Sequence, residues 1–278
     1  MTEKKILTPE ELKHRRNKIG NIIFISFIIV RFFFIEHFMV PSSSMTPTLI
    51  TGDIILIKKY AYAWSRLSIP FGGFLPVAKQ GIKLGKPKHG DVAGFIMTRE
   101  PSKYYVKRIV AVAGDYVQMK DGILHVNKEP CKMEFIRDFK FRNDAGEWET
   151  GQEYKVTMPE STVSSFKSSC KIPKSYTVYR NQPFGLGHID NTLEFKVPEG
   201  YVWMQGDFHT GSSDSFNTHF MGPISVNELV GKPFFVLYST NSRLASEPSW
   251  IKWFIQLPWR ILVALKDTNF KRICIKAN

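Results

Sequence analysis

A chain of 278 residues that is 43% hydrophobic and 14% aromatic can build one large domain or two smaller ones around a sizeable core. Its net charge of +13 suits an anionic partner; without a helix-turn-helix pattern, zinc-finger spacing or RNA-binding signature, lipid fits better than nucleic acid. None of the three cysteines, Cys131, Cys170 and Cys274, has a partner at CxxC spacing, so neither a zinc site nor a redox motif is indicated, and a Cys131–Cys170 disulfide stays open for an oxidising compartment.

Residues 1–21 are polar and basic, with Lys4, Lys5, Lys13, Arg15, Arg16 and Lys18. Residues 22–30 are apolar apart from Ser26; Arg31 interrupts, and 32–35 resume. The run is shorter than the roughly 20 residues of a full crossing, with Arg31 placed to snorkel toward headgroups. No small-x-small cleavage site follows, which favours a retained anchor helix over 22–37 rather than a cleaved leader. The flanking Lys/Arg excess places the N-terminus in the cytoplasm and the remainder outside.

Directly after it comes Val40-Pro41-Ser42-Ser43-Ser44-Met45-Thr46-Pro47-Thr48-Leu49. Three serines and a threonine between two prolines predict a stiff, exposed turn, because proline fixes φ and restricts the residue before it. Such a turn joins an anchor to a domain, or holds a nucleophilic oxygen still.

Short strands broken by Gly and Pro follow, at 54–57, 90–96, 104–112, 116–119 and 123–126, with Asp121-Gly122 as a hairpin turn. Residues 60–90 are a Gly/Pro-rich, aromatic and basic excursion. Residues 127–195 are more polar and read as an inserted second lobe with strands near 153–158 and 176–179. Strands at 197–204 and 229–238 complete a core assigned to 38–126 and 196–240. With no long helical pattern between 40 and 240, the fold class is mainly β: an antiparallel core carrying an inserted β lobe, preceded by a transmembrane helix. The tail at 241–278 spaces Trp250, Trp253, Phe254, Leu257, Ile261 and Leu265 as on a helix, either lying at a membrane surface or packed on the body.

A serine nucleophile needs a base. His89, His125, His188, His209 and His219 are scattered without a metal-binding or triad pattern. Lys107 lies in an apolar strand whose alternation puts it on one face with Tyr105 and Ile109. Burial there favours the neutral amine, which accepts a proton; the alternative is an edge lysine reaching water.

Taken together, these stretches resemble bacterial type I signal peptidases (leader peptidases), a Ser/Lys-dyad serine protease family. The turn at 41–49 is similar to the family's serine box, 52–59 to its second box, 90–115 to the lysine box with its preceding strand, and 206–215 to the last box. The four occur in family order after an anchor and cover roughly 20–125 and 196–240. The resemblance implies Ser44 as nucleophile and Lys107 as general base. It further implies an oxyanion hole from the Ser42 hydroxyl and the Ser44 N–H, Ser212 orienting the lysine, and a supporting network of Arg108, Asp207 and Asp214. Phe38, Val40, Met45, Leu49, Ile55, Tyr105 and Val106 match the walls of shallow substrate pockets. The implied activity is removal of signal peptides from secretory preproteins after small residues (Ala-x-Ala), through an acyl-enzyme. The implied setting is a single pass through the bacterial inner membrane, with phospholipids as neighbours and the catalytic domain on the periplasmic side. No cofactor, metal or nucleic acid is implied. The chain departs from the family at Ser43, where Gly is common, and across the last box, where Phe216 replaces the Arg expected after Asp214 and the middle of the loop is rebuilt. A non-catalytic anchored module that binds precursors and a Ser/Lys autoprotease of the SOS-repressor kind are the competing readings.

Overall fold

The computed structural model describes residues 8–64, 82–164 and 174–239. The expectation for the tail, the partners Cys170 and Cys274, and most of the excursion at 60–90 lie outside the described residues. Cys131 itself is a buried free thiol, pushed up to about 12 by burial.

Helix α1 (Pro9–Phe33) starts at a capping box: the Thr8 hydroxyl accepts from the Glu11 N–H, and the Glu11 carboxylate accepts from the Thr8 N–H. It therefore begins well before 22, the start expected for the anchor helix, and ends before 37. Its apolar stretch at 22–30 is about 14 Å long at helical rise, against about 30 Å of bilayer hydrocarbon. Among the described residues, no helix is long and apolar enough to cross a membrane. Beyond it, residues 35–37, assigned to the anchor, instead open strand β1 (Ile35–Met39), which pairs antiparallel with β2 (Asp53–Lys58) from Ile35↔Lys58 to Met39↔Ile54.

Further along come the short pair β3 (Ala63–Trp64) and β4 (Ile82–Lys83), then β5 (Val92–Phe95) and β6 (Tyr105–Val112). β7 (Tyr116–Lys120) and β8 (Ile123–Val126) turn through Asp121-Gly122, both at positive φ (47° and 76°), as a tight right-twisted hairpin demands. β9 (Glu129–Pro130) leads into two long strands, β10 (Lys132–Arg142) and β11 (Trp148–Thr157), joined by β12 (Ser175–Arg180). The remainder is β13 (Phe195–Lys196), β14 (Tyr201–Gln205), β15 (Ile224–Ser225) and β16 (Leu229–Ser239).

The largest sheet has seven strands in the order β1-β2-β16-β5-β6-β14-β15, antiparallel throughout. The inserted segment forms the three-stranded sheet β10-β11-β12, while β13-β7-β8-β9 make a four-stranded sheet. The lobe shares its core with the body: Val156, Met158, Tyr176 and Val178 pack in one cluster with Val110, Val117, Leu124 and Trp203. A second cluster, Val40, Met45, Leu49, Ile55, Ile57, Val92, Val106 and Val236, lies directly beneath the serine-rich turn and sets its floor. Each such fully buried aliphatic side chain is worth about 1.5–3 kcal/mol.

Candidate active site

The turn after β1 runs from an extended Ser42 into a single 3₁₀ turn, Ser43–Met45. The Thr46 N–H closes it on the Ser43 carbonyl at 2.8 Å, and Met45 buries its side chain in the cluster below. Ser44 thus sits on a turn fixed from beneath, with its hydroxyl 3.3 Å from that of Ser42.

Lys107 comes from β6 and is only 3% exposed. Its amine donates to the Ser212 hydroxyl at 2.6 Å. Gly206 links this pair to the turn that carries Ser44: a Cβ at that position would stand 2.1 Å from Ser212 Oγ and 2.5 Å from the Ser44 carbonyl. Ser42, Ser44 and Lys107 all border one cleft of about 560 Å³.

Burial pulls the Lys107 amine down to about 8, against the opposing pull of the Asp214 and Asp207 carboxylates. Burial pushes Asp214 up to about 7, opposed by the Lys107 charge and by the N–H groups of Phe216 and Gly206. Both shifts favour the uncharged forms. Phe216, standing where the family has an arginine, packs on Trp203 with ring centroids 5.5 Å apart. Among the described residues Asp214 has no ion-pair partner, so it does not join the network expected for it; it remains a neighbour of Lys107 through charge alone.

Arg108 and Asp207 do pair. Arg108 Nε and Nη2 donate to the two carboxylate oxygens at 2.8 and 2.7 Å, a bidentate fork buried on both sides. The Thr48 hydroxyl donates to the same carboxylate, Arg108 Nη1 donates to the Gly90 carbonyl at 2.8 Å, and the guanidinium lies 4.4 Å from the Tyr176 ring centre. Lysine and arginine at neighbouring positions of β6 thus face different partners: burial eases deprotonation of the one, while Asp207 holds the other charged.

Of the expected wall residues, Phe38, Val40, Met45, Tyr105 and Val106 border the cleft. Leu49 and Ile55 do not; fully buried, they form the layer behind Val40, Met45 and Val106. No local pattern singles out Tyr104, whose ring lies 4.2 Å from that of Phe38 at the cleft's rim, or Thr48, whose hydroxyl meets Asp207. Of the histidines, His209 is buried and held neutral, down to about 3, by burial and the nearby Arg180 charge. His89 pairs with Asp115 at 2.6 Å, and that carboxylate also accepts from the Val112 N–H and Asn127. Among the described residues no hydroxyl side chain bonds to this pair, which braces the turn between β6 and β7.

Two strand edges face the cleft. β1 is outermost in its sheet. Residues 105–107 of β6 pair with β5 on one side, whereas β14 joins β6 only from Arg108 onward. An extended peptide laid between these edges would find backbone donors and acceptors on both sides, with Ser44 and Lys107 at one end.

The family profile described as "Signal peptidase, peptidase S26" matches residues 16–238. A signal peptidase I of Rickettsia typhi (strain ATCC VR-144 / Wilmington) is 30% identical over 220 residues, 77% of this chain and 76% of that one. Another, of Rickettsia massiliae (strain Mtu5), is 28% identical over 233 residues, 82% of each chain. A solved signal peptidase I from Enterococcus faecalis V583 overlays 53% of this chain and 96% of that one at 16% identity and a TM-score of 0.28, too distant to add to the sequence relation.

Proposed function

The chain belongs to the signal peptidase family, peptidase S26, whose members are serine peptidases that remove signal peptides, and from that premise we propose that Ser44 and Lys107 are its catalytic dyad. The observation that carries this is a buried lysine, hydrogen-bonded to a serine hydroxyl and bordering the same cleft as Ser44.

In this reading the neutral Lys107 amine takes the proton from the Ser44 hydroxyl as its oxygen attacks the scissile carbonyl carbon. The negative charge that develops on the carbonyl oxygen is met by the Ser44 N–H and the Ser42 hydroxyl. Lys107 then gives its proton to the leaving amine, the peptide bond breaks, and the signal peptide stays on Ser44 as an ester. A water that passes its proton to Lys107 attacks the ester and releases the free carboxylate and the Ser44 hydroxyl. Ser212 keeps the amine aimed at the cleft. The Arg108–Asp207 fork fixes the strand that carries the amine.

Specificity for small residues follows from the cleft's apolar walls, which Val40, Met45 and Val106 narrow and the buried Leu49 and Ile55 stiffen from behind. α1 supports a membrane setting: Ile22, Ile23, Phe24, Ile25, Phe27, Ile29 and Val30 are all exposed on it. Placed in or against the bilayer with its basic N-terminal flank on the cytoplasmic side, the helix would hold the catalytic body on the periplasmic side of the bacterial inner membrane. Preproteins and phospholipids would be its partners there, and tethering raises the effective substrate concentration.

The test is to incubate the purified chain with an Ala-x-Ala preprotein and map the cut by mass. Ser44→Ala and Lys107→Ala should each abolish cleavage; full activity in either removes that residue from the mechanism.

A further inference from the structure

The arm formed by β10 and β11 bends back onto the turn that carries Ser44. Its tip is closed on itself: the Gly146 N–H donates to the Asn143 carbonyl at 2.9 Å, and the Asn143 side-chain oxygen accepts from the N–H groups of Ala145 and Glu147. This leaves the Asp144 side chain to reach outward. Its Oδ1 accepts from the Ser43 N–H at 2.9 Å and from the Thr51 hydroxyl at 2.8 Å, contacts spanning 101 and 93 residues of sequence.

The same arm grips the turn from its other side. Phe141 packs edge-on against Phe208, ring centroids 5.8 Å apart at 88°, and the Phe208 N–H donates to the Ser44 carbonyl at 3.1 Å. Phe208 belongs to the rebuilt part of the last box, and Gly211 makes room for it, since a Cβ there would stand 2.3 Å from its ring. One peptide group before the nucleophile and one after it are therefore tied, directly or through Phe208, to the inserted lobe.

We propose that Asp144 is a positioning residue for the nucleophile: by holding the Ser43 N–H it fixes the peptide planes around Ser44, and with them the direction of the Ser44 N–H and hydroxyl. A carboxylate is suited to this, because its hydrogen bonds to backbone N–H groups are charge-assisted and short. Displacing a reacting group by about 1 Å costs on the order of a hundredfold in rate. The inference rests on the Ser44/Lys107 reading for its kinetic consequence, and on geometry alone for the anchoring.

The experiment compares Asp144→Ala, Asp144→Leu and Asp144→Asn in the full chain, measuring kcat and KM on an Ala-x-Ala preprotein and amide hydrogen exchange of residues 43–45. Leucine keeps the volume without an acceptor; asparagine keeps a carbonyl oxygen for both donors. The expected result is a kcat lowered at least about tenfold in the Ala and Leu variants, with KM within about twofold, faster exchange at 43–45, and recovery of both in Asp144→Asn. Wild-type kcat and exchange in the Ala and Leu variants, or an Asn variant as impaired as Ala, overturns it. If neither the wild type nor Ser44→Ala cleaves, the dyad reading falls, while the exchange rates still decide the anchoring: unchanged protection at 43–45 sinks it.

Discussion

Ser44 and Ser212 lie against the same glycine, one through its backbone carbonyl and the other through its hydroxyl, with Gly206 filling the space between them. The side chain that grips the Lys107 amine and the turn that presents the proposed nucleophile are thus spaced by the absence of a single Cβ. A methyl group there meets backbone on one side, at 2.5 Å, and backbone does not rotate away as a long side chain does. Gly206→Ala is expected to separate the two serines. Preprotein turnover should fall at least about a hundredfold. Overpacking should cost about 1–3 kcal/mol, read as a lower melting temperature. Near-normal turnover would mean that the spacing between these serines is not critical.

The proposed base has a pH signature. The amine must be neutral to accept a proton, and burial brings it down to about 8. On that basis kcat/KM should rise with pH and level off above about 8, whereas an ordinary lysine would delay the rise by more than two pH units. Asp214 works in the opposite direction: its negative charge favours the protonated amine and holds the value up. Asp214→Asn keeps an acceptor for the Phe216 N–H and removes that charge, so the midpoint should move to lower pH. A pH–rate series on both proteins checks this. A midpoint that stays put, or moves to higher pH, would show that the Asp214 charge does not bear on the base.

Much of the body is legible from two patterns. β7 and β8 alternate buried and more exposed residues around the Asp121-Gly122 turn, whereas β5 and the strand around Lys107 read as near-continuous apolar runs because both their faces are buried. β10 was missed for a local reason: Ile136 bulges out, so the register passes from Phe135↔Tyr154 to Arg137↔Glu153, and most of the strand is exposed. The start of α1 was readable from Thr8 and Glu11, a capping-box pair that the long apolar run overshadowed. Residues 35–37 read as more of that run, because an apolar segment looks alike in a helix and in an edge strand; pairing with β2 decides it. Asp144 meets Ser43 across 101 residues, and no local pattern marks such a contact.

The same ambiguity separates the lining of the cleft from its backing, and mutation can tell them apart. Ile55 is fully buried behind the wall, packed with Val40, Leu49 and Val106, while Phe38 borders the cleft with its ring against Tyr104. Ile55→Ala leaves a void inside a packed cluster and should destabilise the fold by about 2–5 kcal/mol. Phe38→Ala instead removes a partly buried ring at the rim. It should cost less stability and widen the space open to a substrate side chain, so that precursors with a larger residue near the cut are processed. Denaturant melts and a panel of precursors varied at the positions before the cut separate the two effects. If Ile55→Ala broadened the precursor range while leaving stability intact, Ile55 would belong to the lining after all.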